Sequence, residues 1–466
     1  MADLVNLFEY PSALSDRVAL DDGYRSLTFA DLARTVASLA ARLADKGVAP
    51  GDRIAIAESN RLEYPIMLLA LLRLGAVACP MNIRQPAAVL AAQAKHINCT
   101  TQLVIENSHL HIPDTERLAA DLQSNPGDTA PASQTDPDQP ATIIFTSGTS
   151  GQPKAVLHSL GNHYYSALGS NRNLPLEPGD RWLVSLPMYH VGGLAILFRC
   201  LLGGATAHIT DPGDDIASLI KRHRVTHVSM VAAQLRRLLT SVEDASALRS
   251  LKAILLGGGP TPPSLLARAL ELGLPVYRSY GLTETASQVV TSSRPDGSRR
   301  IILDYRRVRL GDNNEILVSG PTRFLGYVQD TGLATPFDSE GWFATGDIGG
   351  YDSQGGLVLL GRRDNQFISG GENIQPEFIE NALRELPGIT DAVVVPVPDT
   401  EFGLRPAAFI QGDLTDIHAL KTALADRLAS FQIPVAFLPW PEEYARSGIK
   451  PDRRSLHRLA LRLCDH

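Results

Sequence analysis

Residues 141–158 read Ala-Thr-Ile-Ile-Phe-Thr-Ser-Gly-Thr-Ser-Gly-Gln-Pro-Lys-Ala-Val-Leu-His. The β-branched apolar run at 142–145 has the character of a buried strand. It empties into Thr146, Ser147, Gly148, Thr149, Ser150 and Gly151, and then through Gln152 and Pro153 into Lys154. Glycines let backbone N–H groups converge on an anion. Hydroxyls add donors, and a lysine adds a point charge. This is the chemistry of polyphosphate binding. A Ser/Gly linker is the plainer reading, but a linker does not normally leave a buried strand and end in Pro-Lys. The Walker arrangement is excluded, because it needs the lysine next to the second glycine at a helix start. Here Gln152 and Pro153 intervene, and residues 155–157 look extended.

Other stretches place reactive residue types at strand ends. Leu255 and Leu256 run into Gly257, Gly258, Gly259 and Pro260, where backbone without Cβ can approach a flat ligand. A tight turn explains the same glycines equally well. In Tyr280-Gly281-Leu282-Thr283-Glu284 the tyrosine can stack on a base and the threonine can donate to a phosphate. Glu284 can hold Mg2+, a hard cation that takes one or two carboxylates beside phosphate oxygens. The plainer reading is a helix N-cap. His190 within 186–193, and Asp347 at the end of Trp342-Phe343-Ala344-Thr345-Gly346-Asp347, each read alone as parts of turns. Arg199 interrupts the apolar run 195–202, nine residues after His190. An arginine in an apolar helix needs a partner, either an acidic side chain or a ligand carboxylate.

These positions need a scaffold. The 466 residues are too many for one ordinary domain. Thr28, with Asp31 three residues on, is expected to cap a helix that Gly47 ends. A strand at 53–57, a helix around 61–74 and a strand at 76–79 follow, an α/β alternation with parallel strands. Residues 123–140 form a polar, Pro-rich connector. The alternation returns at 182–290, with strands expected at 182–186, 205–209, 227–231, 252–256 and 276–277. From about 295 to 361, short strands at 315–318, 341–343 and 357–360 suggest a small β subdomain. Beyond it, helices at 376–386 and 417–429 and strands at 392–397 and 407–410 suggest a compact α+β unit. The fold class is therefore α/β: a large N-terminal domain of mixed and parallel sheets with helices, and a small mobile α+β C-terminal domain.

Composition removes several functions. A net charge of −7 and no run of five basic residues argue against a nucleic-acid surface. Cys79, Cys99, Cys200 and Cys464 form no pair motif, which fits a reducing cytosol. No secretory signal and no bilayer-length apolar run is visible, so a cytoplasmic enzyme without membrane insertion is expected. A homodimer is compatible with the sequence.

In this order the motifs resemble the adenylate-forming superfamily: acyl-CoA and aryl-CoA ligases, luciferases and peptide-synthetase adenylation domains. The resemblance spans roughly positions 140 to 450. It implies ATP and CoA as co-substrates, Mg2+ on Glu284, and ATP contacts from the 146–151 loop, Lys154, Gly258, Gly259, Pro260, Tyr280 and Gly281. It places Thr283 at the α-phosphate, Asp347 on the ribose and Arg362 on ribose or phosphates. It puts His190, with Gly281, at the acid pocket and makes Lys450 the catalytic lysine. It implies a domain of 1–361, a hinge at 362–365 centred on Asp364, and a domain of 366–466 whose Gly370 and Gly371 meet CoA. Without it, the 369–374 stretch is a β-turn before Pro376 and Lys450 a surface charge. Two departures stand out: Ala155 replaces the usual glycine after the lysine, and Ile449 delays Lys450 by one residue.

Several stretches are similar to the o-succinylbenzoate–CoA ligase family of menaquinone biosynthesis: 182–193, Phe198-Arg199, 280–286, 367–376, 401–406 and Gly448-Ile449-Lys450. The Gly-Ile-Lys variant occurs in that family. Its substrate carries two carboxylates, one activated and one needing neutralisation in an apolar pocket. Arg199 is expected to meet the second, with a hydrogen bond from Thr146. Ligation of another aryl or medium-chain acid, and a non-catalytic adenylate-binding protein, are the alternatives.

Overall fold

The Asp31 amide donates to Thr28 Oγ1 at 3.1 Å, and Asp31 accepts from the Thr28 amide at 3.2 Å. This reciprocal cap starts the helix Phe29–Asp45, which buries Leu32, Val36, Leu39, Ala40 and Leu43 along one face. Gly47 follows it at φ +90°. The computed structural model describes residues 7–105, 108–122, 136–146, 153–210, 213–242, 245–259, 261–369, 372–412, 414–442, 444 and 452–464.

An eight-stranded sheet runs, edge to edge, through Gly332–Ala334, Gly326–Gln329, Lys154–Ser159, Pro140–Thr146, Val77–Pro80, Arg53–Ile56, Thr101–Val104 and Glu116–Ala119. From Pro140–Thr146 to Glu116–Ala119 the strands are parallel; the other neighbours are antiparallel. A nine-stranded sheet has Val276–Leu282, Ala253–Leu256, His227–Met230, Arg181–Val184, Thr206–Ile209 and Val18–Asp21 as its parallel centre. Apart from Val276–Leu282, these strands are almost wholly buried because helices cover the sheet. The C-terminal ends of Arg181–Val184, Ala253–Leu256 and Val276–Leu282 lead to His190, to Gly258 and Gly259, and to Tyr280, Thr283 and Glu284, at the end where open α/β sheets bind ligands.

Three sequence expectations change. The strand expected at 276–277 runs to Leu282, because Ser287–Ser292 pairs antiparallel with its second half. Tyr280 and Gly281 are thus within a strand, and Thr283–Thr285 is a short 3-10 turn without a side-chain cap. The strand expected at 341–343 begins at Phe343 and continues to Tyr351, so Gly346 and Asp347 lie inside a ladder rather than at a turn. The stretch 295–361 divides its strands among three sheets. Arg307–Leu310, Glu315–Ser319, Phe343–Tyr351 and Leu357–Arg362 form a four-stranded antiparallel sheet, while Arg300–Ile302 joins the nine-stranded and Gly326–Gln329 the eight-stranded one.

After Arg362 come a hairpin of Phe367–Ser369 and Glu372–Ile374, and a three-stranded sheet of Ile389–Asp399, Gly403–Gly412 and Ala436–Pro439. Alternation along the two long strands sends Ala392, Val394, Ala408 and Ile410 to one apolar cluster, with helix Pro376–Arg384. It sends Val393, Val395, Ala407 and Phe409 to another, with helix Arg453–Cys464. Among the described residues, these two clusters use only positions from Phe367 onward, and the other four use only positions up to Leu357.

Candidate active site

The ladder between Pro140–Thr146 and Lys154–Ser159 places Thr146 opposite Lys154. The loop residues Ser147, Gly148, Thr149, Ser150 and Gly151 lie outside the described residues. Ala155 is fully buried, paired with Phe145 and Val328, and belongs to an apolar cluster. Its methyl therefore packs into core, and the departure from glycine is absorbed there.

Lys154 Nζ lies 4.9 Å from the centroid of the Tyr327 ring, and Tyr327 Oη donates to Glu284 Oε1 at 2.8 Å. The lysine and the glutamate picked out by sequence thus meet through a tyrosine that sequence did not single out. The backbone of the Thr283–Glu284 turn is also tied down. Phe324 N donates to the Glu284 carbonyl at 2.9 Å, and His158 Nε2 lies 2.7 Å from the Thr283 carbonyl. Because a carbonyl only accepts, His158 carries its proton on Nε2. Thr142 Oγ1 stands 3.4 Å from His158 Nδ1 and 2.8 Å from His163 Nε2, completing a buried polar chain. Burial pushes His158 down to about 4 and His163 well below the usual histidine range, so both are neutral donors near pH 7.

Tyr280, Asp347 and Arg362 come into direct contact. Tyr280 Oη donates to Asp347 Oδ2 at 2.6 Å, and Arg362 Nη1 donates to Asp347 Oδ1 at 2.8 Å. Burial and Asp347 raise the Tyr280 phenol, keeping it a donor. Asp364 stands 3.6 Å from Arg362 Nη2. Glu315 braces the same corner: it accepts from Gly346 N at 2.9 Å and from Arg363 Nη1 at 2.6 Å. Gly346 has φ +73°, and a Cβ there would crowd the Arg362 guanidinium at 3.0 Å.

The glycines differ in what requires them. A Cβ on Gly281 would overlap the Ser287 carbonyl of the paired strand, so packing alone accounts for it. Gly258 has φ +80°. Gly259 has no positive φ, and a Cβ there would meet nothing within 4 Å, so neither conformation nor packing demands a glycine. Pro260 lies outside the described residues.

His190 precedes helix Val191–Gly203, and Arg199 lies within it. His190 is exposed at the helix start, with its ring 4.8 Å from Tyr189. Asn60 holds the turn before it, donating to the Leu186 carbonyl at 2.9 Å and accepting from Met188 N at 3.0 Å. Arg199 is 1% exposed. Its Nη2 donates to Ser287 Oγ at 2.9 Å, and its guanidinium lies 5.1 Å from the Trp182 ring centroid. Among the described residues no carboxylate pairs with it, and its Nε has no hydrogen-bond partner. Burial lowers it to about 10, which leaves it cationic at neutral pH. The acidic side-chain partner weighed from sequence is therefore not found there. Gly370, Gly371 and Lys450 lie outside the described residues.

Tyr327, His158, Glu315 and Asn60 were missed by sequence reading. Only His158 carried a signal: a polar residue closing the apolar strand 155–157, which must find a partner once buried.

Residues 7–328 match the AMP-binding enzyme family. The 2-succinylbenzoate–CoA ligase of Bacillus licheniformis is 35% identical over 445 residues, covering 91% of this chain and 92% of the relative. The chain belongs to the AMP-binding enzyme family. Solved AMP-binding enzymes share its architecture. The o-succinylbenzoate CoA synthetase (MenE) from Bacillus subtilis in complex with the acyl-adenylate intermediate OSB-AMP matches with a TM-score of 0.82 at 31% identity, over 93% of this chain and 94% of that chain. The B. subtilis enzyme in complex with ATP and magnesium ion matches with a TM-score of 0.83 at 32% identity, over 93% and 95%.

Proposed function

We infer that this AMP-binding enzyme is an ATP-dependent acid–thiol ligase. It converts o-succinylbenzoate, ATP and CoA to o-succinylbenzoyl-CoA, AMP and pyrophosphate through an acyl-adenylate. The observation that carries the choice of acid is Arg199, a buried guanidinium without a carboxylate partner among the described residues. A buried charge left uncompensated is unfavourable, and an anionic substrate group corrects it.

In the first half-reaction the aliphatic carboxylate attacks the α-phosphorus, and the bond to the β-phosphate breaks with release of pyrophosphate. Catalysis is positioning and charge stabilisation. Tyr280 stacks on adenine, with the backbone of Gly258 and Gly259 and with Pro260 on the other face. Asp347 and Arg362 take the ribose, and Thr283 donates to the α-phosphate. Lys154 and the 146–151 loop hold the β- and γ-phosphates. Glu284, half-buried near Lys154, suits a cation that arrives with phosphate and water ligands. Mg2+ bound there supplies charge neutralisation to the phosphates. Arg199 and Thr146 hold the aromatic carboxylate, His190 lines the acid pocket, and Lys450 bridges the attacking carboxylate and the phosphate.

In the second half-reaction the CoA thiolate attacks the acyl carbonyl and AMP leaves. We place a hinge at 362–365, centred on Asp364, between domains 1–361 and 366–466. The separation of apolar clusters on either side of that point supports it, because units that turn against each other cannot share a core. Rotation withdraws Lys450 and brings Gly370 and Gly371 to the pantetheine. A cytoplasmic location, where ATP and CoA are available, completes the reading; no helix among the described residues is long and apolar enough to cross a membrane. The test is pyrophosphate release with o-succinylbenzoate against benzoate, coumarate and octanoate. A dominant response to o-succinylbenzoate is expected, and an equal or larger one to another acid overturns the substrate.

A further inference from the structure

Strand Gly326–Gln329 runs antiparallel to Lys154–Ser159, with Tyr327 opposite Val156 and Val328 opposite Ala155. Lys154 and Val156 share a face of their strand, so Tyr327 is the diagonal cross-strand neighbour of Lys154. This register brings Lys154 Nζ to 4.9 Å from the ring centroid. The ring itself is fixed: Tyr327 is 9% exposed, and the Phe324 ring meets it edge-on at 4.8 Å. Gly326, at φ +152°, leads into it where a Cβ would press on the Ala334 carbonyl. On its far side the hydroxyl donates to Glu284 Oε1 at 2.8 Å. A carboxylate only accepts, so the phenol is the donor in this bond. Among the described residues no ion pair joins Lys154 to Glu284; the tyrosine is the contact they share.

We propose that Tyr327 is a positioning residue for MgATP: its hydroxyl aims the Glu284 carboxylate and its ring face seats the Lys154 ammonium. One side chain then sets the spacing between the cation site and the phosphate site. The proposal rests on the roles given above to Glu284 and Lys154. The two halves of the side chain do separable work. The hydroxyl acts on metal-dependent binding, and the ring acts on phosphate binding whether or not metal is present.

The experiment is calorimetric titration of the full chain with ATP, once with Mg2+ and once with EDTA, for wild type, Tyr327→Phe, Tyr327→Leu and Glu284→Gln. Thermal unfolding of each ligand-free protein is recorded alongside. Tyr327→Phe is expected to weaken MgATP binding about 5- to 10-fold, the net effect of losing one ordinary hydrogen bond, and to leave metal-free ATP within about twofold. Tyr327→Leu is expected to weaken both, because the cation loses its aromatic face. Glu284→Gln is expected to lose the gain from Mg2+. If Glu284→Gln keeps that gain, the role given to Glu284 fails and the proposal with it. If Glu284→Gln loses it while Tyr327→Phe keeps the wild-type gain, the proposal alone is overturned. Equal weakening of both titrations in Tyr327→Phe, with a lowered Tm, reduces Tyr327 to a structural role and also overturns it.

Discussion

Tyr280 and Asp347 are joined by a 2.6 Å hydrogen bond from phenol to carboxylate, across the junction of the nine-stranded and four-stranded sheets. The other carboxylate oxygen accepts from Arg362. The aspartate assigned to the ribose is therefore oriented from both sides before any nucleotide arrives. Tyr280→Phe keeps the ring but releases one side. KM for ATP should rise about 3- to 10-fold, the net effect of losing one ordinary hydrogen bond that orients the carboxylate. Asp347→Asn should raise it further, since Arg362 then loses its nearest carboxylate. Steady-state pyrophosphate release at varied ATP reads both effects. An unchanged KM in Asp347→Asn contradicts the ribose assignment.

Two glycines with opposite physics offer a paired check. Gly259 has open space where a side chain would stand, whereas Gly281 faces the Ser287 carbonyl. Gly259→Ala should raise KM for ATP about tenfold while leaving Tm nearly unchanged, because the methyl intrudes only on bound adenine. Gly281→Ala should destabilise the fold by about 1–3 kcal/mol through overpacking. A Gly259→Ala enzyme with unaltered ATP kinetics would remove that residue from the nucleotide site.

Acid stability follows from His158. Its imidazole is fully buried, hydrogen-bonded to the Thr283 carbonyl and lowered from 6.5 to about 4. A folded value below the unfolded one means that the unfolded chain takes up the proton first. The stability from a neutral His158 is therefore present above about pH 6.5 and is lost as the pH falls toward 4. The loss is on the order of 3 kcal/mol. His158→Gln keeps a donor near Thr283 and removes the titration. Chemical denaturation across that window should show the variant losing on the order of 3 kcal/mol less than wild type. Parallel pH profiles would mean that His158 does not titrate in this way.

The order of elements was legible because its signals are local. The cap of Thr28 and Asp31, the glycine after the first helix and the apolar strands ending at Leu256 and Val184 each lie within a few residues of sequence. The ends of strands were less so. Tyr280-Gly281 looks like punctuation, and only pairing with Ser287–Ser292 keeps it extended. Lys154, Glu284, Tyr280, Asp347 and Arg362 were singled out as candidates because their motifs are short and ordered. Their supports were not. His158 reaches Thr283 across 125 residues, Asn60 reaches Val184 across 124, and Tyr327 reaches Glu284 across 43. A tyrosine in a β-rich stretch carries no mark of the carboxylate it will meet.

The central claim is that Arg199 reads the second carboxylate of the acid being activated. The direct measurement is kcat/KM for o-succinylbenzoate and for 3-benzoylpropionate, which lacks only the aromatic carboxylate, in wild type and in Arg199→Ala, with Tm recorded for both proteins. Wild type should prefer the diacid on the order of 100-fold, as for a buried charge pair, and Arg199→Ala should reduce the preference to about threefold or less. A folded Arg199→Ala enzyme that keeps the wild-type preference would contradict the account.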